Sequence, residues 1–203
     1  MIEHIHWLGH GSFYIEGCPS IFINPWRVTQ PSSLPADFIL ISDDHYHHFS
    51  PGDIAKLRGP NTRLIAHERA ARELEDCLAL RPWQSLTFGR LCVKGVPAYL
   101  LSKHGLKPAS PSLGFILSLN FYDIYYAGLT SFIPEMASLR PDIAILPVNS
   151  DLAMSPAEAA DAVRQMRPRW VFPSHWSLAT RVDAYRFERE VGADAQVLLP
   201  ALR

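Results

Sequence analysis

The stretch Leu40–Pro51 reads LISDDHYHHFSP, with His45, His47 and His48 packed together directly after Asp43 and Asp44. The segment that leads into it, ADFILIS over residues 36–42, is a short and nearly unbroken apolar run. That pattern marks a strand buried on both faces, so the histidines fall at a strand's C-terminal end. Ser50, Pro51 and Asp53 then supply an N-cap, a first-turn proline and an acidic N3 residue, which predicts a short helix. On an extended segment Asp43 and His45 point the same way, whereas His47 and His48 fall where the chain turns toward the helix. A lone histidine here would be a solvated loop residue. Three histidines and two aspartates at the end of a buried strand point instead to a divalent metal, since imidazole and carboxylate suit Zn²⁺, Mn²⁺ and Fe²⁺.

Outward from this stretch the chain alternates between strand and helix signals. HIHWL, SFYIE and SIFIN are β-rich runs separated by Gly-His-Gly and Gly-Cys-Pro, as in a meander. Between His67 and Leu80 the residues Ala70, Ala71, Leu74, Cys77 and Leu78 recur at helical spacing, which predicts a helix. QSLTF, RLCVKGVPAYL, SLGFILSL and DIYYA are β-type segments, DIAILP is a second buried strand, and RWVFP is a strand leading to His175. Ser155, Pro156 and Glu158 repeat the cap, proline and acid for a helix over 157–166, and 182–191 also reads as helical. With no linker, low-complexity stretch or short repeat, residues 1–203 are expected to form a single domain. Its first half is β-rich with a helical insertion, and its second half has βαβ character.

Composition narrows the partners. Of 203 residues 48% are apolar and 19% charged, which fits a globular chain with a well-filled core. The net charge of −1, without a dense basic run, argues against nucleic acid or an anionic membrane as partner. The start MIEHIHW has no signal-peptide pattern and the apolar runs are too short to span a bilayer, so a cytoplasmic location is expected. Cys18, Cys77 and Cys92 are odd in number and widely spaced, as reduced core thiols would be.

The segments WLGHGSFYIEG, FINPW, LISDDHYHHFSP, VPAY, KHG, GFIL, IYYAGLTSFIPEM, DIAILPVNS, MSPAEAADA and FPSHW occur in an order that resembles the metallo-β-lactamase superfamily. The similarity is to its small metal-dependent hydrolase branch, which includes L-ascorbate-6-phosphate lactonase, and it runs from Trp7 to about His175. It implies an α+β fold, a four-layer αββα sandwich of two mixed sheets flanked by helices, with the metal at one edge between the sheets. The family loop has the form T-H-x-H-x-D-H. Here Asp43 stands at the first histidine, His45 at the second, His47 at the aspartate and His48 at the last. His104, in KHG, and His175, in FPSHW, match further ligand positions, so the implied metal ligands are Asp43, His45, His47, His48, His104 and His175. Asn24 stands where the branch has an aspartate before proline. Leu129, in AGLT, stands where the family has a carboxylate bridging two metals. Leucine neither ligates nor offsets two dications, so one Zn²⁺ or Mn²⁺ per chain is expected rather than two, with Fe²⁺ a further option.

The resemblance implies a hydrolase acting on an ester-like bond of a small molecule, a lactone, phosphoester or amide, through a metal-activated hydroxide. His10, in GHG, matches a position beside the active site and would touch substrate or leaving group; a loop histidine bonded to backbone is an equal alternative. The changes at 43, 47 and 129 support a second reading, a catalytically impaired or non-catalytic member that binds a small molecule or partner in the old cleft. Ligand-capable residues at two of those three positions favour retained metal. Tyr46 and Trp176 flank candidate ligands and read as packing aromatics, with a wall of the pocket as the alternative. His4 and His6 read as surface residues of a strand, and His67 as the start of a helix. Loops around 29–36 and 102–112 are expected to set specificity.

Overall fold

The computed structural model describes residues 1–29, 35–102 and 105–199, with residues 102 and 105–111 described for their backbone alone. They fall into two units, Met1–Arg81 and Pro82–Leu202, each built on one mixed sheet.

The first sheet runs in chain order: β1 (Ile5–Gly9), β2 (Ser12–Ile15), β3 (Ile21–Ile23), β4 (Phe38–Ile41), β5 (Arg63–His67) and β6 (Cys77–Leu80). β1 to β3 pair antiparallel, and β3 to β6 pair parallel. The apolar run before the histidines is β4, and all four of its residues are buried. Ile39 and Ile41 pack on Ile54 and Leu57 of α1 (Pro51–Leu57), while Leu40 is buried on the other face. Each such side chain contributes about 1.5–3 kcal/mol of burial. The Ser50 hydroxyl caps α1 by accepting from the Asp53 amide, as its cap-proline-acid sequence predicts.

The helix expected over residues 67–80 is not there. One turn forms, α2 (Glu68–Ala71), with the His67 ring accepting from the Arg69 amide as its cap. The chain then reverses through Asp76, at φ +53, and Cys77–Leu80 becomes a strand paired parallel with Leu64–His67. The apolar spacing suited either outcome. Pairing along β5 satisfies a row of backbone donors and acceptors that a continued helix would leave at an open sheet edge, and strand pairing prevails.

The second sheet has the order β13-β12-β11-β10-β9-β8-β7. Its strands are β7 (Ser85–Phe88), β8 (Leu91–Ser102), β9 (Gly105–Leu119), β10 (Tyr122–Tyr126), β11 (Ile143–Pro147), β12 (Trp170–Ser174) and β13 (Gln196–Val197). β7 to β10 are antiparallel and β10 to β13 parallel. α3 (Pro156–Met166) begins with a full Ser155–Glu158 capping box, and α4 (Arg181–Val191) follows β12. Ala160 and Val163 of α3 and Phe187 of α4 share a core with Ala144 and Leu146 of β11. The loop expected at 102–112 is largely strand, since β9 starts at Gly105 and pairs Leu100 with Ala109 and Leu101 with Pro108. Register shifts between Ala98 and Leu100 and between Leu101 and Ser102 accommodate this proline-bearing stretch.

The three cysteines are free, as expected, but only partly in the core: Cys18 is exposed. Burial pushes the Cys77 thiol up to about 11. Among the described residues no helix is long and apolar enough to cross a membrane.

Candidate metal centre

The chain leaves the first sheet immediately after Ile41. The Ser42 amide donates to the Asn24 side-chain oxygen at 2.8 Å instead of to a neighbouring strand, so strand alternation stops one residue before Asp43. Asp43 is therefore buried and His45 exposed, and the two do not share the common face that extended geometry predicted. The His45 carbonyl accepts from both His48 and Phe49 amides at 2.8 Å, which curls residues 45–48 into a turn. The His45 ring centroid consequently lies 5.2 Å from that of His47 and 5.8 Å from that of His48.

Asp43 faces inward, onto protein donors. Its Oδ1 accepts from the His45 amide at 2.9 Å, and its Oδ2 accepts from the Ser42 hydroxyl at 2.9 Å and lies 2.7 Å from His48 Nδ1. Burial opposes ionisation of this carboxyl, but the hydrogen bonds from His48, His45 and Ser42 outweigh it and hold Asp43 below the usual carboxylate range. An ionised carboxylate only accepts, so Nδ1 of the buried His48 donates to it and Nε2 is the ring nitrogen left for another partner. This is the arrangement in which a histidine serves a metal.

His10 enters from the turn between β1 and β2. Gly9 and His10 have φ of +110 and +51, and the Trp7 indole anchors the turn by donating to the His10 carbonyl at 2.8 Å. The His10 ring centroid is 4.5 Å from that of His47 and 5.9 Å from that of His48. Burial, then the neighbouring His48, His47 and His45, push its pKa down to about 4, so the imidazole is neutral near pH 7. Trp26 meets His47 edge-on at 4.7 Å, and the Arg27 guanidinium stacks on Trp26 at 4.3 Å. Asp53 holds this wall in place by accepting from the amides of Arg27 (2.8 Å) and Val28 (3.3 Å), the Ser50 hydroxyl (2.9 Å) and Lys56 Nζ (2.7 Å). Sequence reading found Asp53 only as a helix-start residue and did not find Trp26; the tryptophan beside Pro25 was the available signal. Tyr46 is exposed, with its ring centroid 3.7 Å from that of His47.

Within the first unit, then, Asp43, His45, His47, His48 and His10 gather in one place. His175 belongs to the second unit, just past β12, at φ +63 and buried. Its Nδ1 is 2.9 Å from the Ser174 hydroxyl, and its carbonyl accepts from the buried Asn149 side-chain Nδ2 at 3.0 Å. Trp176 is a buried packing residue, its indole donating to the Pro173 carbonyl at 3.1 Å. Leu129 follows Gly128 (φ +72), and its carbonyl accepts from Ser112 Oγ at 3.3 Å. His104 lies outside the described residues. His67 caps α2, and His6 Nε2 contacts Glu16 at 3.0 Å on the surface. His4 ends a 3-10 turn before β1 rather than lying on the strand.

Residues 4–175 match the family profile described as the Beta-lactamase superfamily domain. The chain belongs to the metallo-β-lactamase superfamily, and its two mixed sheets with their helices are of that α+β fold. It is 30% identical over 215 residues to a metal-dependent hydrolase of Pyrococcus abyssi, covering 96% of this chain and 95% of that one. A metal-dependent hydrolase of Thermococcus kodakarensis is 29% identical over 214 residues, with the same 96% and 95% coverage. Among solved structures, a protein from Parabacteroides distasonis, proposed to be a metal-dependent hydrolase, superposes with a TM-score of 0.89 at 28% identity. The match covers 98% of this chain and 93% of that one. A metallo hydrolase from Ignicoccus hospitalis has the same fold, with a TM-score of 0.78 at 21% identity over 96% and 93% of the two chains.

Proposed function

We propose that the protein is a metal-dependent hydrolase that cleaves an ester-like bond, a lactone, phosphoester or amide, in a small molecule, using a single divalent metal. One observation carries this reading: fully buried His48 sets its Nδ1 2.7 Å from Asp43 Oδ2, a contact that orients the ring and leaves Nε2 as the nitrogen to face a metal. His10 is a neutral imidazole near pH 7, with the rings of His45 and His47 grouped nearby. We assign His48 and His10, whose rings lie together in the first unit, as donors, and His175 on its match to the family's last ligand position, with His47, His45 and His104 as supplementary ones. The match to the family through residue 175 and the relatives' description as metal-dependent hydrolases support the assignment. Of Zn²⁺, Mn²⁺ and Fe²⁺, an all-imidazole set of this kind suits Zn²⁺ and Fe²⁺ better than Mn²⁺, which prefers carboxylate and water oxygens. Such a cation polarises a scissile oxygen and acidifies water. The protein's own part is to hold the rings: Asp43 orients His48, Ser174 contacts His175, and the Trp7-anchored turn fixes His10. Leu129, which offers no carboxylate, supports one metal over two.

Elemental analysis of the purified protein, joined to hydrolysis assays on lactones and phosphodiesters, tests the reading. The expected result is one metal per chain, lost with activity in His48→Ala and His175→Ala but retained in His4→Ala. Full metal content in His48→Ala contradicts the assignment, and two metals in the parent contradict the stoichiometry. Metal without hydrolysis of any substrate favours the non-catalytic reading.

A further inference from the structure

A line of buried polar groups runs from β3 to the metal centre. Asn24, at φ +47 just beyond β3, has its amide oxygen fixed by the Ser42 backbone N–H at 2.8 Å. A backbone N–H only donates, so the oxygen must face it. The side-chain Nδ2 then faces Ser42 Oγ, to which it donates at 2.8 Å. Because Ser42 Oγ accepts a hydrogen bond from Asn24 Nδ2, its own O–H is directed to Asp43 Oδ2, to which it donates at 2.9 Å. Asp43 Oδ2 also accepts from His48 Nδ1, at 2.7 Å. Asn24, Ser42 and His48 are 0% exposed and Asp43 is 6% exposed, so water does not compete for these bonds. Satisfied networks of this kind specify one arrangement, and a single misdirected donor is costly.

We propose that Asn24 is a positioning residue for the metal centre. Its amide gives the chain Asn24–Ser42–Asp43–His48 one direction, which secures Asp43 as a pure acceptor and His48 as the tautomer protonated on Nδ1. The inference rests on the assignment of His48 as a metal ligand. An aspartate at position 24 would accept from the Ser42 amide equally well but could not donate to Ser42 Oγ. Two carboxylates would then compete for one hydroxyl proton, and Asp43 would lose a donor and gain a negative neighbour. The chemically close change Asn24→Asp is therefore the damaging one, and its damage passes through the Ser42 hydroxyl.

The experiment is a double-mutant cycle of Asn24→Asp and Ser42→Ala, read by two measurements on the full chain. The first is Zn²⁺ affinity by chelator competition. The second is the His48 tautomer in metal-free protein by ¹⁵N NMR, which reports on the chain even if metal binding fails altogether. Asn24→Asp is expected to weaken Zn²⁺ binding about 10–100-fold, as loss of a ligand's supporting partner does, and to shift His48 away from pure Nδ1 protonation. Ser42→Ala is expected to weaken binding less, and the double variant to be no worse than Asn24→Asp alone. Parental affinity and tautomer in Asn24→Asp overturn the proposal, as do losses that simply add. Should Asn24→Asp fail to fold, Ser42→Ala and Ser42→Thr decide: weakened Zn²⁺ binding restored by the threonine hydroxyl supports the chain, and equal affinity in both overturns it. No Zn²⁺ bound by the parent, with the Nδ1 tautomer present, would refute the metal assignment and leave the hydrogen-bond direction standing.

Discussion

His48 Nδ1 and Asp43 Oδ2 lie 2.7 Å apart, both buried, at the point where β4 leaves the first sheet. A charge-assisted bond of this length fixes the ring's rotation as well as its tautomer. Asp43 thus meets its histidine five positions along the chain, across a turn that the His45 carbonyl closes.

Replacing Asp43 by alanine is expected to leave the His48 Nδ1–H buried without this acceptor. Stability should fall by about 1–3 kcal/mol in denaturant melts of the metal-free protein. Metal affinity, measured by chelator competition, should fall about 10–100-fold. Unchanged affinity would remove Asp43 from the centre.

Acid should loosen the wall of the centre through Asp53. Burial raises the pKa of this carboxyl, but the bonds from Lys56, Ser50 and Arg27 more than offset it, and its folded pKa is lowered. A lowered carboxyl pKa contributes stability that is fully present above the unfolded value, about 3.9, and is lost as pH falls through the folded value. Asp53→Asn should therefore melt below the parent at pH 7, and the gap should close below about pH 4. A gap independent of pH would show that the charge of Asp53 does not matter.

Gly114, in β9, faces the end of β10 at close range. A Cβ added there would lie 2.9 Å from the Tyr126 carbonyl oxygen and 3.1 Å from that of Ala127, both main-chain atoms with little room to move. Gly114→Ala should destabilise the protein by about 1–3 kcal/mol, seen as a lower Tm. An unaltered Tm would mean that this strand yields at no cost.

Leu129→Asp addresses the number of metals. Alone it supplies one carboxylate at the position where the family has its bridging one, and metal content by elemental analysis should stay near the parent's. Combined with His47→Asp, which leaves the Asp43–His48 bond in place, it should raise metal content toward two per chain, because a bridging carboxylate offsets the repulsion of neighbouring dications. A folded double variant with the parent's metal content would show that the bridge is not what limits the site.

Features confined to a few neighbouring residues were legible in the residue pattern. The Ser50 and Ser155 caps satisfy amides three positions away, and the run Phe38–Ile41 carries its burial in its own composition. The order of landmarks also pointed correctly to the metallo-β-lactamase superfamily, and the histidines of residues 45–48 do gather with His10. Local pattern failed where two outcomes shared one spacing. Residues 77–80 suit a helix face or a strand equally, and only the open side of β5 selects the strand. It also failed where partners are distant in sequence. Asn24 meets Ser42 across 18 positions and Asp53 meets Arg27 across 26, and no periodicity encodes such pairs. Caps and apolar runs draw their energy from atoms within a turn or two of themselves, so sequence alone determined them. The aim of a buried carboxylate depends on which donors the folded sheet brings to it, so the direction in which the Asp43 carboxylate points was decided by tertiary structure.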